Sequence, residues 1–307
     1  MSRIHDALKK AEQERVANQP AASIDSAGMP ASPSFDNGAV AVEAIEPPVG
    51  VMANPPMSGF TTPFNLESRC AQIEWQPDPS TMLFMNGNNN LEGAEEFRTL
   101  RSRLYHLREK TSLKKVLVTS ALPKEGKSFT AANLAQVMVR QHGRRALLID
   151  ADLRGPRLHM MLGTNPGPGL SDYLQGKNDE FAVMQRGPVE NLFFIPSGLS
   201  ITNPAELVAN GRLQMLMQRV EPLFDWIIVD SPPALLVSDA SVLAKACDGV
   251  LMVVRSNVTP GDVARKAREQ FPQESLLGVV LNGTREKTAS YGRYYYEEYQ
   301  KEMPAKS

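Results

Sequence analysis

The stretch TSALPKEGKSFTAANLA, residues 119–135, decides how the rest of the chain is read. It follows the apolar run Val116, Leu117, Val118 and leads into a segment with helical spacing. Gly126 permits backbone conformations that most residues avoid. Lys127 can reach the β and γ phosphates of a nucleotide, and the Ser128 hydroxyl can ligate Mg²⁺. The first helical turn, Gly126 through Phe129, points N–H groups at an anion. The loop departs from the consensus GxxxxGK[ST]: Ala121 stands where the first glycine belongs, and Lys124 adds a second charge. The plain alternative is an ordinary strand-to-helix turn with an exposed lysine.

Two other stretches bear on that choice. ALLIDADLRGP, residues 146–156, ends an apolar run with Asp150 and Asp152, and FDWIIVDSPP, residues 224–233, ends another with Asp230. Ligands of open parallel sheets collect beyond the carboxyl ends of the strands, and a Mg²⁺-nucleotide needs oxygen ligands and a positioned base there. Singly, each aspartate could cap a helix or sit in a solvated loop. Together with Gly-Lys-Ser they argue for one site. Asn282 closes a further apolar run, LLGVVLNG; its amide could read an adenine edge, or the Asn-Gly pair could simply make a turn.

Working outward, strands are expected at 115–119, 146–149, 192–195, 226–229, 250–254 and 276–281. Helices are expected at 92–109, 128–141, 204–219 and 261–270, the third opened by Asn203 as N-cap and Pro204 at N1. Short, wholly apolar strands separated by helical crossovers predict an α/β fold with a mostly parallel sheet covered on both faces. That domain spans 91–285. Residues 20–90 are rich in Pro, Ala, Ser and Asn and read as a flexible linker. At 1–19, Ile4, Ala7, Leu8 and Ala11 share one helical face, a short amphipathic helix that either docks on a partner or frays. Residues 1–85 supply none of the strand-end groups, so a chain beginning near residue 86 is expected to keep nucleotide binding.

The 307 residues are 42% hydrophobic with a formal charge of -1, which gives no global signal for nucleic acid. Two cysteines, Cys70 and Cys247, make no disulfide framework. No run approaches the ~18 apolar residues of a membrane span, and MSRIHDALKKAEQER has no signal-peptide core. A cytoplasmic location is the expectation. The end of the chain, 286–307, carries SYGRYYYEEY, with Tyr291, Tyr294, Tyr295, Tyr296 and Tyr299. Adjacent tyrosines would point to opposite faces of a strand, and their charged neighbours argue against burial. A flexible tail fits better.

These residues resemble the bacterial tyrosine autokinases that control exopolysaccharide and capsule export, within the deviant P-loop ATPases. The resemblance rests on ALPKEGKSFTAANLA, LLIDADLRGP and IIVDSPP in that order, on Glu95, Arg98 and Arg101 as an E-x-x-R-x-x-R motif, and on the tyrosine cluster. The opening MSRIHDALKKAEQE is similar to the exosortase-associated branch. The resemblance implies a P-loop NTPase-type fold and autophosphorylation with ATP and Mg²⁺. It makes Lys127 and Ser128 the phosphate and Mg²⁺ ligands, Asp150 the base for the tyrosine hydroxyl, and Asp152 and Asp230 further Mg²⁺ holders. It implies phosphorylation of the tail between subunits of a ring, through Glu95, Arg98 and Arg101. It also implies a membrane polysaccharide co-polymerase as activator, recruiting the kinase to the inner membrane face, and a cognate tyrosine phosphatase. By spacing alone, Glu95, Arg98 and Arg101 could equally be a solvated helix face. Two other classes compete: a partitioning-type ATPase, which has no need of clustered tyrosines, and a weakly catalytic nucleotide-binding regulator. The family pattern has Gly where Lys124 stands; if that position needs φ > 0, the loop shifts and turnover falls, and if it does not, Lys124 adds attraction for the phosphates.

Overall fold

The structure is a computed structural model that describes residues 66–84, 93–199 and 202–284. The 1–19 helix and the tyrosine cluster at Tyr291, Tyr294, Tyr295, Tyr296 and Tyr299 lie outside the described residues.

The chain enters through a short helix α1 (Leu66–Arg69) and an edge strand β1 (Ala71–Gln72), then helix α2 (Ala94–Arg108). Strand β2 (Lys115–Ser120) leads into helix α3 (Lys127–Val139), and β3 (Ala146–Asp150) follows. After α4 (Leu158–Leu162) and α5 (Leu170–Leu174) come β4 (Gln185–Arg186) and β5 (Leu192–Ile195). Helices α6 (Pro204–Ala209) and α7 (Arg212–Val220) precede β6 (Trp226–Asp230). Helix α8 (Asp239–Ala244), β7 (Gly249–Arg255), α9 (Gly261–Arg268) and β8 (Leu276–Asn282) complete the domain.

The strands form one sheet in the order β1-β4-β5-β3-β6-β2-β7-β8. Every neighbouring pair is parallel except β4 and β5. Both faces are covered, as wholly apolar strands require. Alternate residues feed opposite cores: Leu117, Leu147, Ile149, Ile227 and Val229 on one side, Val116, Val118, Leu148, Trp226 and Ile228 on the other. The second core includes the inner helix α3, buried almost all round.

Two expectations need correction. The helix expected at 204–219 is broken: Gly211 takes φ 81°, and Asn210 donates to the Leu174 carbonyl while accepting the Arg212 N–H. Asn203 makes no side-chain cap; its amide reaches Glu206 instead. More consequentially, residues 66–84 are not linker. Leu66, Cys70, Trp75, Met82, Leu83 and Phe84 are buried, and Trp75 stands edge-on to Phe194 at 6.2 Å between ring centres. Asn133 on α3 anchors the segment, accepting the Leu83 N–H at 2.8 Å and donating to the Thr81 carbonyl at 2.8 Å. The apolar residues here are spaced too irregularly to show a period, and the partners that order them lie far along the chain.

Candidate active site

The carboxyl ends of β2, β3 and β6, neighbours in the sheet, bring the loop 121–126 and three aspartates together. Within α3, the Thr130 N–H is bonded to the Gly126 carbonyl at 2.8 Å. The N–H groups of Lys127, Ser128 and Phe129, in the turn before it, have no helical partner and are available to an anion. Phe129 offers only its backbone: its ring packs against Phe97, 5.8 Å between centres.

Lys127 is buried. Its Nζ lies 2.7 Å from Asp152 Oδ2, 3.6 Å from Asp230 Oδ1 and 3.2 Å from Ser128 Oγ. Burial opposes its charge, but Asp230, Asp152 and Asp150 outweigh burial and hold the ammonium above its ordinary range. Asp150 and Asp230 are paired in register at the ends of β3 and β6, and both are fully buried. Burial, then the Asp230 carboxylate, push Asp150 up to about 8. Asp150 accepts the Leu158 N–H at 3.1 Å and the Asp152 N–H at 3.3 Å. Burial also raises Asp230, with Lys127 pulling the other way. Asp152 accepts the Gly155 N–H at 3.0 Å besides its bond to Lys127.

Neither Asp230 oxygen has a hydrogen-bond partner. Leaving a buried carboxyl group unsatisfied is costly, and Lys127, bonded to Asp152, only partly offsets the deficit at Asp230. That deficit fits Mg²⁺. Among the described residues no three His, Cys, Asp or Glu side chains form a metal cage. A nucleotide-bound Mg²⁺ needs none, because it takes one or two carboxylates, phosphate oxygens and water.

The loop does require a left-handed residue at 124: Lys124 takes φ 65° and Gly126 φ 98°. A non-glycine residue there costs about 1–2 kcal/mol. Asn282 is turned to the same loop. Its Nδ2 donates to the Glu125 carbonyl at 2.8 Å, and its Oδ1 accepts the Gly283 N–H at 2.9 Å. It therefore makes the turn and braces the loop; reading an adenine edge would require releasing the Glu125 bond.

On α2 the three motif residues are engaged within the chain. Arg98 pairs with Glu95, and Arg101 Nη1 donates to the Val137 carbonyl at 2.9 Å near the end of α3. Sequence reasoning missed Glu125 and the bidentate pair of Arg154 with the buried Asp239, at 2.8 and 3.2 Å. Only the run of charged residues around 124–125 signalled the first, and nothing local signalled the second. A polar cleft of about 930 Å³ opens at the opposite, amino ends of the strands, lined by Lys114, Arg145, Asn191 and Asp225, and contributes nothing to this site.

An AAA domain family matches residues 124–260. The tyrosine-protein kinase YwqD of Bacillus subtilis is 37% identical over 204 residues, which is 66% of this chain and 86% of YwqD. The chain belongs to the bacterial tyrosine-protein kinases. The putative tyrosine-protein kinase EpsB of Ralstonia nicotianae is also 37% identical, over 67% of this chain but 28% of its own length. The chain thus spans most of one relative and under a third of another. The kinase domain of the Escherichia coli tyrosine kinase ETK superposes with a TM-score of 0.61 at 32% identity, covering 66% of this chain and 81% of that one. The expected fold is borne out, and the chain is a protein-tyrosine kinase. Among the described residues no helix is long and apolar enough to cross a membrane.

Proposed function

We propose that this tyrosine kinase phosphorylates the tail tyrosines Tyr291, Tyr294, Tyr295, Tyr296 and Tyr299 of a neighbouring copy, using ATP and Mg²⁺. The buried Asp230 carboxyl, which faces Lys127 at 3.6 Å but accepts no hydrogen bond, is the observation that carries the nucleotide chemistry. Lys127 is placed to hold the β and γ phosphates, and the N–H groups of Lys127, Ser128 and Phe129 to cradle them. Ser128, Asp152 and Asp230 are the residues to hold Mg²⁺, directly or through water. A Mg²⁺ held by these residues would supply positive charge against the phosphates. Asp150, pushed up to about 8 by burial, is assigned as the proton acceptor for the tyrosine hydroxyl in its ionised form. The purified chain incubated with ATP should gain phosphate by intact mass, and peptide mapping should place it on the tail. Phosphate found elsewhere, or none, would refute the reading.

Asp150→Asn is expected to lower transfer by about 10²–10⁴-fold while ADP affinity, read by titration, stays within a few fold. If ADP binding with Mg²⁺ falls in step with activity, Asp150 serves the metal and not the proton.

The resemblance carried by the sequence motifs further implies a role in exopolysaccharide or capsule export, with a membrane co-polymerase as activator and anchor and a tyrosine phosphatase resetting the tail. Each phosphate adds about -1.5 to -2 charges, so a phosphorylated tail should loosen a ring. Assembly is assigned to α2. Changing both Arg98 and Arg101 to Ala should favour monomer in light scattering and make phosphorylation slower and more dependent on concentration. The effect should shrink as salt rises. Because Arg101→Ala also frees the Val137 carbonyl, worth about 1 kcal/mol, Arg98→Ala alone is the control. Equal masses for wild type and both variants would mean that α2 presents a solvated face.

A further inference from the structure

Glu125 lies between the two left-handed residues of the phosphate loop, Lys124 and Gly126. It is 2% exposed, and its carboxylate is fully engaged. Oε2 accepts the Leu122 N–H at 2.6 Å, which closes the loop on itself. Oε1 accepts the Arg255 N–H at 3.4 Å and the Thr259 hydroxyl, which ties the loop to the end of β7. The main-chain carbonyl of Glu125 accepts Asn282 Nδ2, which ties it to the end of β8. Those two anchor points are themselves joined: Arg255 and Asn282 pair in register, and the Ser256 N–H donates to the Asn282 carbonyl at 2.8 Å. The fit is tight, since a Cβ on Gly126 would lie 2.0 Å from Asn282 Nδ2.

We propose that Glu125 is a positioning residue for the kinase reaction: it touches no reacting atom, and it sets the arc of the phosphate loop through Thr259 and Asn282. Lys124 makes such a clasp necessary. A loop with a non-glycine residue in the left-handed region has a local preference to relax elsewhere. Charge-assisted bonds from a buried carboxylate are strong enough to oppose that preference. With the clasp intact the loop N–H groups are already aimed before the nucleotide arrives, so binding pays less ordering entropy. The inference rests on the loop being the nucleotide site.

The test is a set of Glu125→Ala, Glu125→Gln, Thr259→Val and the Glu125→Ala/Thr259→Val double variant. Melting temperature is the folding control, with KM for ATP, kcat, and ADP affinity by titration as readouts. Glu125→Ala should weaken ADP binding and raise the KM about ten- to hundredfold, with kcat within about threefold. Glu125→Gln, which keeps one acceptor oxygen, should recover part of the loss. Thr259→Val should raise the KM severalfold in wild type and add almost nothing to Glu125→Ala. ADP affinity within about twofold of wild type in folded Glu125→Ala and Thr259→Val, or fully additive effects in the double variant, would overturn the clasp. Should Glu125→Ala not fold, Thr259→Val and Glu125→Gln decide the question. Failure of wild-type protein to bind ADP would instead remove the reading of the loop.

Discussion

Lys127→Met is expected to remove tail phosphorylation, by about a thousandfold or more, and to destabilise the protein in a pH-dependent way. The catalytic part follows from position: the Lys127 ammonium sits at the start of α3 beside Ser128, Asp152 and Asp230, and a methionine cannot hold a phosphate. The stability part follows from the three aspartates. In wild type one ammonium faces Asp152 at 2.7 Å and Asp230 at 3.6 Å. Removing one partner of a buried ionic cluster costs about 3–5 kcal/mol when the remainder is ionised.

Asp150 and Asp230 are both raised above the ordinary carboxyl value of 3.8. The folded protein therefore binds more protons than the unfolded chain, and the stability these groups contribute is present below the ordinary carboxyl range and lost as pH rises toward about 8. Lys127, raised above 10.5, stays charged across that window. Without it the two carboxyls rise further, and the loss at alkaline pH deepens. Denaturation of wild type and Lys127→Met at about pH 6 and about pH 9 should show the larger gap at the higher value. A gap independent of pH would mean that the aspartates do not share a charge with Lys127. The mutant's own tail should still accept phosphate from active protein; if the mutant phosphorylates itself at the wild-type rate, Lys127 has no role in transfer.

Starting the chain at residue 86 is expected to be nearly as damaging, for a different reason. It deletes Leu66, Trp75, Met82 and Phe84, exposed by 1, 4, 0 and 3%. Each such side chain contributes about 1.5–3 kcal/mol when buried, so the four together approach the ~5–15 kcal/mol of a typical domain. The deletion also strips Asn133 of its Leu83 and Thr81 partners, leaving Oδ1 without its donor while Nδ2 keeps the Phe129 carbonyl. Measured against a chain starting near residue 60, one starting at 86 should lose ~15 °C or more, or fail to fold. Melting by circular dichroism checks this. If the shorter chain melts within a few degrees of the longer and binds ADP equally, residues 66–84 are dispensable after all.

The contrast between residues 66–84 and the loop at 121–126 marks where sequence stops informing structure. The alternation of short apolar strands with helices, the Gly-Lys-Ser at the end of β2, and Asp150, Asp152 and Asp230 at strand ends are all local features. Each is a run or spacing within about ten residues, set by strand burial and helix-terminus chemistry. Together they were enough to read the sheet, its two covered faces and which residues gather at the strand ends. The tertiary structure alone decided what depends on strand order. Glu125 meets Thr259 and Asn282 across 134 and 157 residues because β2, β7 and β8 lie side by side. Asn133 meets Leu83 across 50 residues because the entering segment packs on α3. The same long-range packing turned Phe129 toward Phe97 and Arg101 toward Val137. A side chain's type limits what it can bond to, but its partner is chosen by which elements the sheet places next to each other, and no short window of sequence carries that.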